Sequence, residues 1–241
     1  MWAKGRDALP NVCTFGCLLL GFASMTLTQD GRYETAVWVL FVAVCVDVAD
    51  GALARALHAS TPFGHQLDSL ADLVAAGVAP AFLVHQVYFS SWGITGVLVA
   101  GSWAALVAAR LARFNTTTNL DRFHFVGVPC PIAATLLCQY LLFCRATWGH
   151  DGSAWVCAGL IVALGTLMLS RVPYWTSATM LPGQFFHHPF GPGAAAMALM
   201  CIPFPSQAIF VTLVLSMVVA VTIHTLRQPR FAGRVVVHHA S

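Results

Sequence analysis

The sequence predicts an all-α polytopic membrane protein, on three observations. Only 9% of its 241 residues are charged while 58% are hydrophobic, with a mean hydropathy of +0.75. An average soluble domain carries about 25% charged residues, so this chain has too little charge to cover a water-facing surface. Disorder is excluded by the same numbers, since it requires low hydrophobicity and high charge. The apolar residues also fall in runs of about 17–25, the length that crosses a bilayer as a helix. Finally, aspartates interrupt those runs at helical spacing, where a membrane tolerates them only for a reason.

The predicted spans lie near 12–29, 34–54, 66–90, 93–112, 128–147, 153–170, 190–204 and 206–226. Asn11 opens the first, after Lys4 and Arg6. This start resembles a secretory signal, but no small-residue cleavage site follows, so the segment is read as retained. Gln29–Asp30–Gly31 ends it, and the second span runs into a polar stretch at 55–65. The third begins after Thr61–Pro62, a capping residue followed by a proline in the first helical turn. Ser90–Ser91–Trp92–Gly93 separates the third from the fourth, and Gly149–His150–Asp151–Gly152 separates the fifth from the sixth. The seventh is short, bounded by Gly191–Pro192–Gly193 and by Pro203–Phe204–Pro205. No linker, repeat or low-complexity tract divides the chain, so residues 1–241 are read as one membrane domain. The eight cysteines have neither metal-ligand nor disulfide-framework spacing and read as small apolar packing groups.

Eight spans place Lys4, Arg6, Arg55, Arg110, Arg113, Arg122, Arg171, Arg227, Arg230 and Arg234 on one side, and only Arg32 and Arg145 on the other. By the positive-inside rule both termini and the 55–66 turn are cytoplasmic.

Four of the nine acidic residues stand in one window: Asp47, Asp50, Asp68 and Asp72. Each aspartate near the middle of a membrane helix costs about 2.5–3.5 kcal/mol on insertion scales. Arg55 alone offsets too little of this charge, and divalent cations would supply the remainder. Asp47 and Asp50 are three apart on the second span, and Asp68 and Asp72 four apart on the third, so each pair shares a helix face. Two helices joined by a short turn can therefore aim four hard oxygen ligands at one point, which suits Mg²⁺ or Mn²⁺. Gly51 and Gly64 leave room beside the acids for a ligand to approach the backbone. Such acids also occur in cation or proton transporters, but the chain has no repeated halves.

The string D-x2-D-G-x2-A-R-x8-G-x3-D-x3-D fits without a gap at Asp47, Asp50, Gly51, Ala54, Arg55, Gly64, Asp68 and Asp72. It resembles the signature of the CDP-alcohol phosphotransferases, integral membrane enzymes of phospholipid synthesis. Leu9–Thr14, Leu67–Val74, Gly77–Ala81, Arg110–Asn115, Phe125–Ala134 and Ser170–Tyr174 further resemble the bacterial CDP-diacylglycerol–serine O-phosphatidyltransferases. The similarity covers about residues 9–175. It implies a six-helix core with two additional C-terminal transmembrane helices at about 188–226. Two places depart from the pattern: Cys17 stands where asparagine is expected, and Ala75–Ala76 where a Ser-Phe pair is expected.

The resemblance implies transfer of the phosphatidyl group from CDP-diacylglycerol to L-serine, releasing CMP, at the cytoplasmic face of a bacterial-type inner membrane. A sister enzyme would use inositol phosphate, glycerol phosphate or choline instead. Asp47, Asp50, Asp68 and Asp72 would hold two metal ions, which could clamp the attacking and leaving oxygens. Asp72 would be the base for the hydroxyl, although spacing alone does not choose between Asp68 and Asp72. Arg55 would hold the diphosphate, with Gly51, Ala54 and Gly64 around the nucleotide. Thr61 has two readings, helix cap and nucleotide contact. Asn11 and Thr14 also have two, nucleotide contact and interhelical hydrogen bond. The serine carboxylate calls for an arginine, drawn from Arg110, Arg113 and Arg171 with Asn115 as a neutral partner. Arg113 and Asn115 are favoured, against a purely topological role. His187–His188 and His238–His239 lack a third ligand and read as interfacial or tail residues. The basic tail after Arg227 is suited to anionic lipid. A homodimer is expected from the resemblance, and no nucleic-acid partner is expected.

Overall fold

A computed structural model of the chain describes residues 8–57, 61–116, 127–170 and 205–227. The described residues are mostly helical, contain no strand among them, and form seven helices. These are α1 (Ala8–Gln29), α2 (Tyr33–Leu57), α3 (Pro62–Trp92), α4 (Ile94–Thr116), α5 (Cys130–Trp148), α6 (Ala154–Leu169) and α7 (Pro205–Arg227). Each matches a predicted span. The predicted span at 190–204 lies outside the described residues, as do Arg171, the paired histidines and the tail. Asn11–Gln29, Pro62–Trp92, Ile94–Thr116 and Cys130–Trp148 are long and apolar enough to cross a membrane. Residues 33–57 of α2 show why aspartates stand out: an apolar run from Ala36 to Val46 meets Asp47 and Asp50 near its end.

The helices extend past the apolar runs at the end that carries the acids, with α2 reaching Leu57, α3 starting at Pro62 and α4 reaching Thr116. Hydropathy marks only the part of a helix that lies in hydrocarbon, so the polar turns beyond it escape such a reading. The Thr61 cap forms as expected: its Oγ1 accepts from the Gly64 backbone N–H at 3.0 Å, with Pro62 in the first turn.

Helix α1 packs along α2 as a hairpin, and α3 runs among α1, α2, α4 and α5. Helix α6 covers α4 and α5, and α7 lies along α5. Helix α5 is the most enclosed, buried nearly all round from Ala133 to Leu142. The seven cysteines among the described residues are free thiols, and five are buried. The buried five pack in the interior, as expected of small apolar groups, while Cys45 is exposed.

Helix α3 is not a uniform α-helix. Leu73–Val78 and His85–Phe89 are π-turns, and Ser90–Trp92 closes as a 3₁₀ turn. The first π-turn has a local cause. Pro80 has no N–H to offer the carbonyl of Ala76 four residues earlier, so a regular ladder cannot continue there. The indole Nε1 of Trp103 on α4 donates to that carbonyl at 2.9 Å.

At the end remote from the acids, Arg145 on α5 pairs with Asp151 and with Glu34 on α2, and lies over the Tyr33 ring at 5.7 Å. The Tyr88 hydroxyl donates to the Asp151 carbonyl at 2.6 Å. Trp92 and Trp155 meet at the same end with ring centroids 4.8 Å apart and planes tilted by 50°, in keeping with the enrichment of tryptophan at membrane interfaces.

Candidate active site

The site is built where the ends of α1, α2, α3 and α4 meet. Helix α3 carries Asp68 and Asp72 one turn apart, and α2 carries Asp47. Asp72 lies within electrostatic range of Asp47, Asp68 and Arg110. Three of the four signature acids and an arginine from α4 thus lie within electrostatic range at Asp72. Asp50, Gly51, Ala54 and Arg55 continue α2 toward Leu57, and their side chains lie outside the described residues.

Carboxylate oxygens are the donors that Mg²⁺ and Mn²⁺ take in preference to nitrogen or sulfur, so the chemistry of the donor set fits such ions. Among the described residues, no three aspartate, glutamate, histidine or cysteine side chains stand close enough to hold an ion by themselves. Asp50 is the remaining carboxylate of the signature.

Gly64 brings the first helix into the site. A Cβ at Gly64 would lie 3.1 Å from Asn11 Oδ1 and 3.2 Å from Thr61 Oγ1. The bare glycine lets the start of α1 approach the start of α3, and Asn11, Thr61 and Gly64 come together as a polar edge. Thr14 lies one turn further along α1, buried. Thr61 serves as the helix cap through an accepted hydrogen bond, and its own O–H remains a donor.

The structure separates the serine-site candidates by their present use. The Arg113 guanidinium donates to the Leu169 carbonyl at 2.6 Å and to the Met168 carbonyl at 3.2 Å, closing the C-terminus of α6. Asn115 Nδ2 donates to Ser69 Oγ at 3.1 Å and ties α4 to α3 at the exposed rim. Arg110 is different. It is 7% exposed and donates from Nη1 to Cys130 Sγ at 2.9 Å, while its buried Nε has no partner.

The two departures from the expected pattern prove to be neighbours. Cys17, Ala43 and Ala75 form one buried apolar cluster, with the Cys17 thiol donating to the Ala43 carbonyl at 3.6 Å. Ala75 also meets Gly21 so closely that a Cβ there would lie 3.1 Å from the Ala75 Cα. The two polar-to-apolar exchanges thus lie in contact with each other.

Sequence reasoning missed Trp103 and Cys130. A tryptophan inside an apolar span carries no signal of a carbonyl partner 27 residues away. Cys130, the first residue of α5, shows its role only once α5 is placed against Arg110. The Pro80 gap in the α3 ladder was the one available clue.

Comparison with known proteins agrees with this geometry. The profile described as CDP-alcohol phosphatidyltransferase matches residues 7–172. The chain is 34% identical over 167 residues to the CDP-diacylglycerol–serine O-phosphatidyltransferase of Helicobacter pylori (strain J99), covering 68% of this chain and 70% of that one. It is 29% identical over 172 residues to the archaetidylserine synthase of Methanothermobacter thermautotrophicus, covering 69% of each. Over 129 residues it is 32% identical to the CDP-diacylglycerol–serine O-phosphatidyltransferase of Bacillus subtilis (strain 168), covering 54% of this chain and 72% of that one. The matched region holds all four acids and both helices that carry them. This chain belongs to the CDP-alcohol phosphatidyltransferase family of enzymes.

Proposed function

We propose that the protein transfers the phosphatidyl group of CDP-diacylglycerol to L-serine, releasing CMP, with a divalent metal, at the cytoplasmic face of the membrane. The observation that carries the choice of acceptor is Arg110, a buried guanidinium with an unpartnered Nε within electrostatic range of Asp72. A zwitterionic amino acid needs a cation for its carboxylate and a base for its hydroxyl, and this pair offers both. The names of the relatives support the same acceptor.

In the reaction, the serine Oγ forms a bond to the phosphorus that carries diacylglycerol. The bond from that phosphorus to the bridging oxygen breaks, and CMP leaves with the electron pair. Asp72 takes the hydroxyl proton, since a serine hydroxyl is a poor nucleophile without a base. Asp47, Asp50, Asp68 and Asp72 are the residues that would hold Mg²⁺ or Mn²⁺. The metal, when bound, neutralises diphosphate charge and stabilises the leaving group. Arg55 pairs with phosphate oxygens, and Asn11, Thr14, Gly51, Ala54, Thr61 and Gly64 border the nucleotide. The diacylglycerol part suits an apolar groove of about 190 Å³ between α2, α5 and α7, lined by Phe41, Val44, Ile132 and Leu213 among others. Val44 lies one helical turn before Asp47 on α2, which supports this reading of the groove.

The test is CMP release by purified protein with CDP-diacylglycerol, with and without Mg²⁺ or Mn²⁺, across serine, inositol phosphate, glycerol phosphate and choline. Metal-dependent release with serine alone is expected. Release with a different alcohol and not with serine overturns the acceptor assignment.

A further inference from the structure

We propose that Trp103 is a positioning residue for Asp72, acting through its hydrogen bond to the Ala76 carbonyl. This rests on the reading of Asp72 as the base given above.

Helix α3 meets Pro80 two turns after Asp72. Proline lacks the N–H that the Ala76 carbonyl would accept in a regular ladder. Inside a membrane a backbone carbonyl left without a donor is costly, and neighbouring side chains commonly re-satisfy it. Here the Trp103 indole does so at 2.9 Å, with Trp103 0% and Ala76 1% exposed. The ladder opens into a π-turn at Leu73–Val78, which begins at the residue after Asp72. A π-turn inserts one residue relative to an α-turn. One residue is about 100° of rotation, so the turn sets the heading of Asp72 relative to everything that follows on α3.

The same face of α4 reads this segment in order. Trp103, Val107 and Arg110 are spaced i, i+4 and i+7 and so line one side of α4. Trp103 holds Ala76. Val107 packs against Gly77, where an added Cβ would lie 3.3 Å from its Cγ1. Arg110 lies within electrostatic range of Asp72. Helix α4 thereby acts as a template that fixes where the π-turn opens and which way Asp72 points. A shift of about 1 Å at a reacting group can cost on the order of 100-fold in rate, so this clasp matters to turnover more than to binding.

The experiment removes the indole N–H while keeping its shape. Trp103 is replaced by its benzothiophene isostere, in which sulfur stands for the N–H, and separately by phenylalanine (W103F). Steady-state kinetics of CMP release are measured with whichever alcohol the unaltered protein accepts, alongside thermal melting in detergent. We expect kcat to fall about 10- to 100-fold in both variants while KM for CDP-diacylglycerol stays within about threefold. The isostere should melt close to the unaltered protein. If W103F does not fold, the isostere decides alone. An isostere with kcat within about twofold of the unaltered protein overturns the proposal. So does, in the isostere, a rise in KM for CDP-diacylglycerol or a loss of folded protein in step with kcat, which would make Trp103 a packing residue. Failure of the unaltered protein to use serine would overturn the acceptor assignment alone, because the Trp103 comparison is made on any alcohol that supports turnover.

Discussion

Arg110 donates from Nη1 to the Sγ of Cys130 at 2.9 Å, joining the last turns of α4 to the first residue of α5. The contact holds the guanidinium inside the protein with its Nε unpartnered. Arg113, one turn further on, closes the end of α6 through two carbonyls. Two arginines three residues apart thus have different work, one beside the acids and one at a helix terminus.

Their substitutions should separate accordingly. R110Q is expected to raise KM for serine at least about tenfold, since hydrogen bonds to charged groups contribute about 1.5–3 kcal/mol. R113K should leave that KM unchanged and lower the melting temperature instead. Paired kinetics and melting curves check both. Equal effects of the two substitutions on serine KM would remove the distinction.

Asp72 should behave differently from the other acids. D72N is expected to lower kcat about 10²- to 10⁴-fold, the usual contribution of a positioned general base, while CDP-diacylglycerol still binds. D47N and D68N should lose metal-stimulated turnover and nucleotide binding together. Equilibrium binding of the nucleotide, measured beside single-turnover rates, distinguishes these outcomes. Joint loss of binding and metal response in D72N would make it chiefly a ligand.

Gly64 tests the polar edge made by α1 and α3. In G64A the new methyl would crowd Asn11 Oδ1 at 3.1 Å and Thr61 Oγ1 at 3.2 Å. KM for CDP-diacylglycerol is expected to rise about three- to tenfold with little change in kcat, a loss of uniform binding. T61A should cost about 1 kcal/mol of stability through loss of the cap. An unaltered KM in G64A would place the nucleotide away from this edge.

The ten-to-two split of basic residues predicts both termini in the cytoplasm. A reporter that is active only in the cytoplasm should therefore be active when fused after Arg227, and one that requires export should be silent. The reverse result overturns the eight-span arrangement and leaves the acid site as it is.

What could be read from the sequence was what depends on short stretches of chain. A long apolar run forms a helix whatever it packs against, which is why the helices from α1 to α7 fall where the runs do, four of them long and apolar enough to cross a bilayer. Thr61–Pro62 states a helix start within two residues, and the cap to Gly64 formed. Spacing of three and four residues determines that Asp47 shares a face with Asp50, and Asp68 with Asp72, whatever the helices pack against. The signature and the family followed from those positions.

Only the tertiary structure decided what those faces meet. Arg110 and Arg113 look alike in sequence, and differ because α5 starts beside one and α6 ends beside the other. Cys17 and Ala75 look like two unrelated departures until α1 and α3 bring them into one apolar cluster. The π-turn after Asp72 follows from Pro80, which is local, but the donor to the Ala76 carbonyl is Trp103, 27 residues away. A missing N–H announces that a carbonyl needs a donor, but the donor is chosen by packing between helices, where contacts are unconstrained by sequence separation.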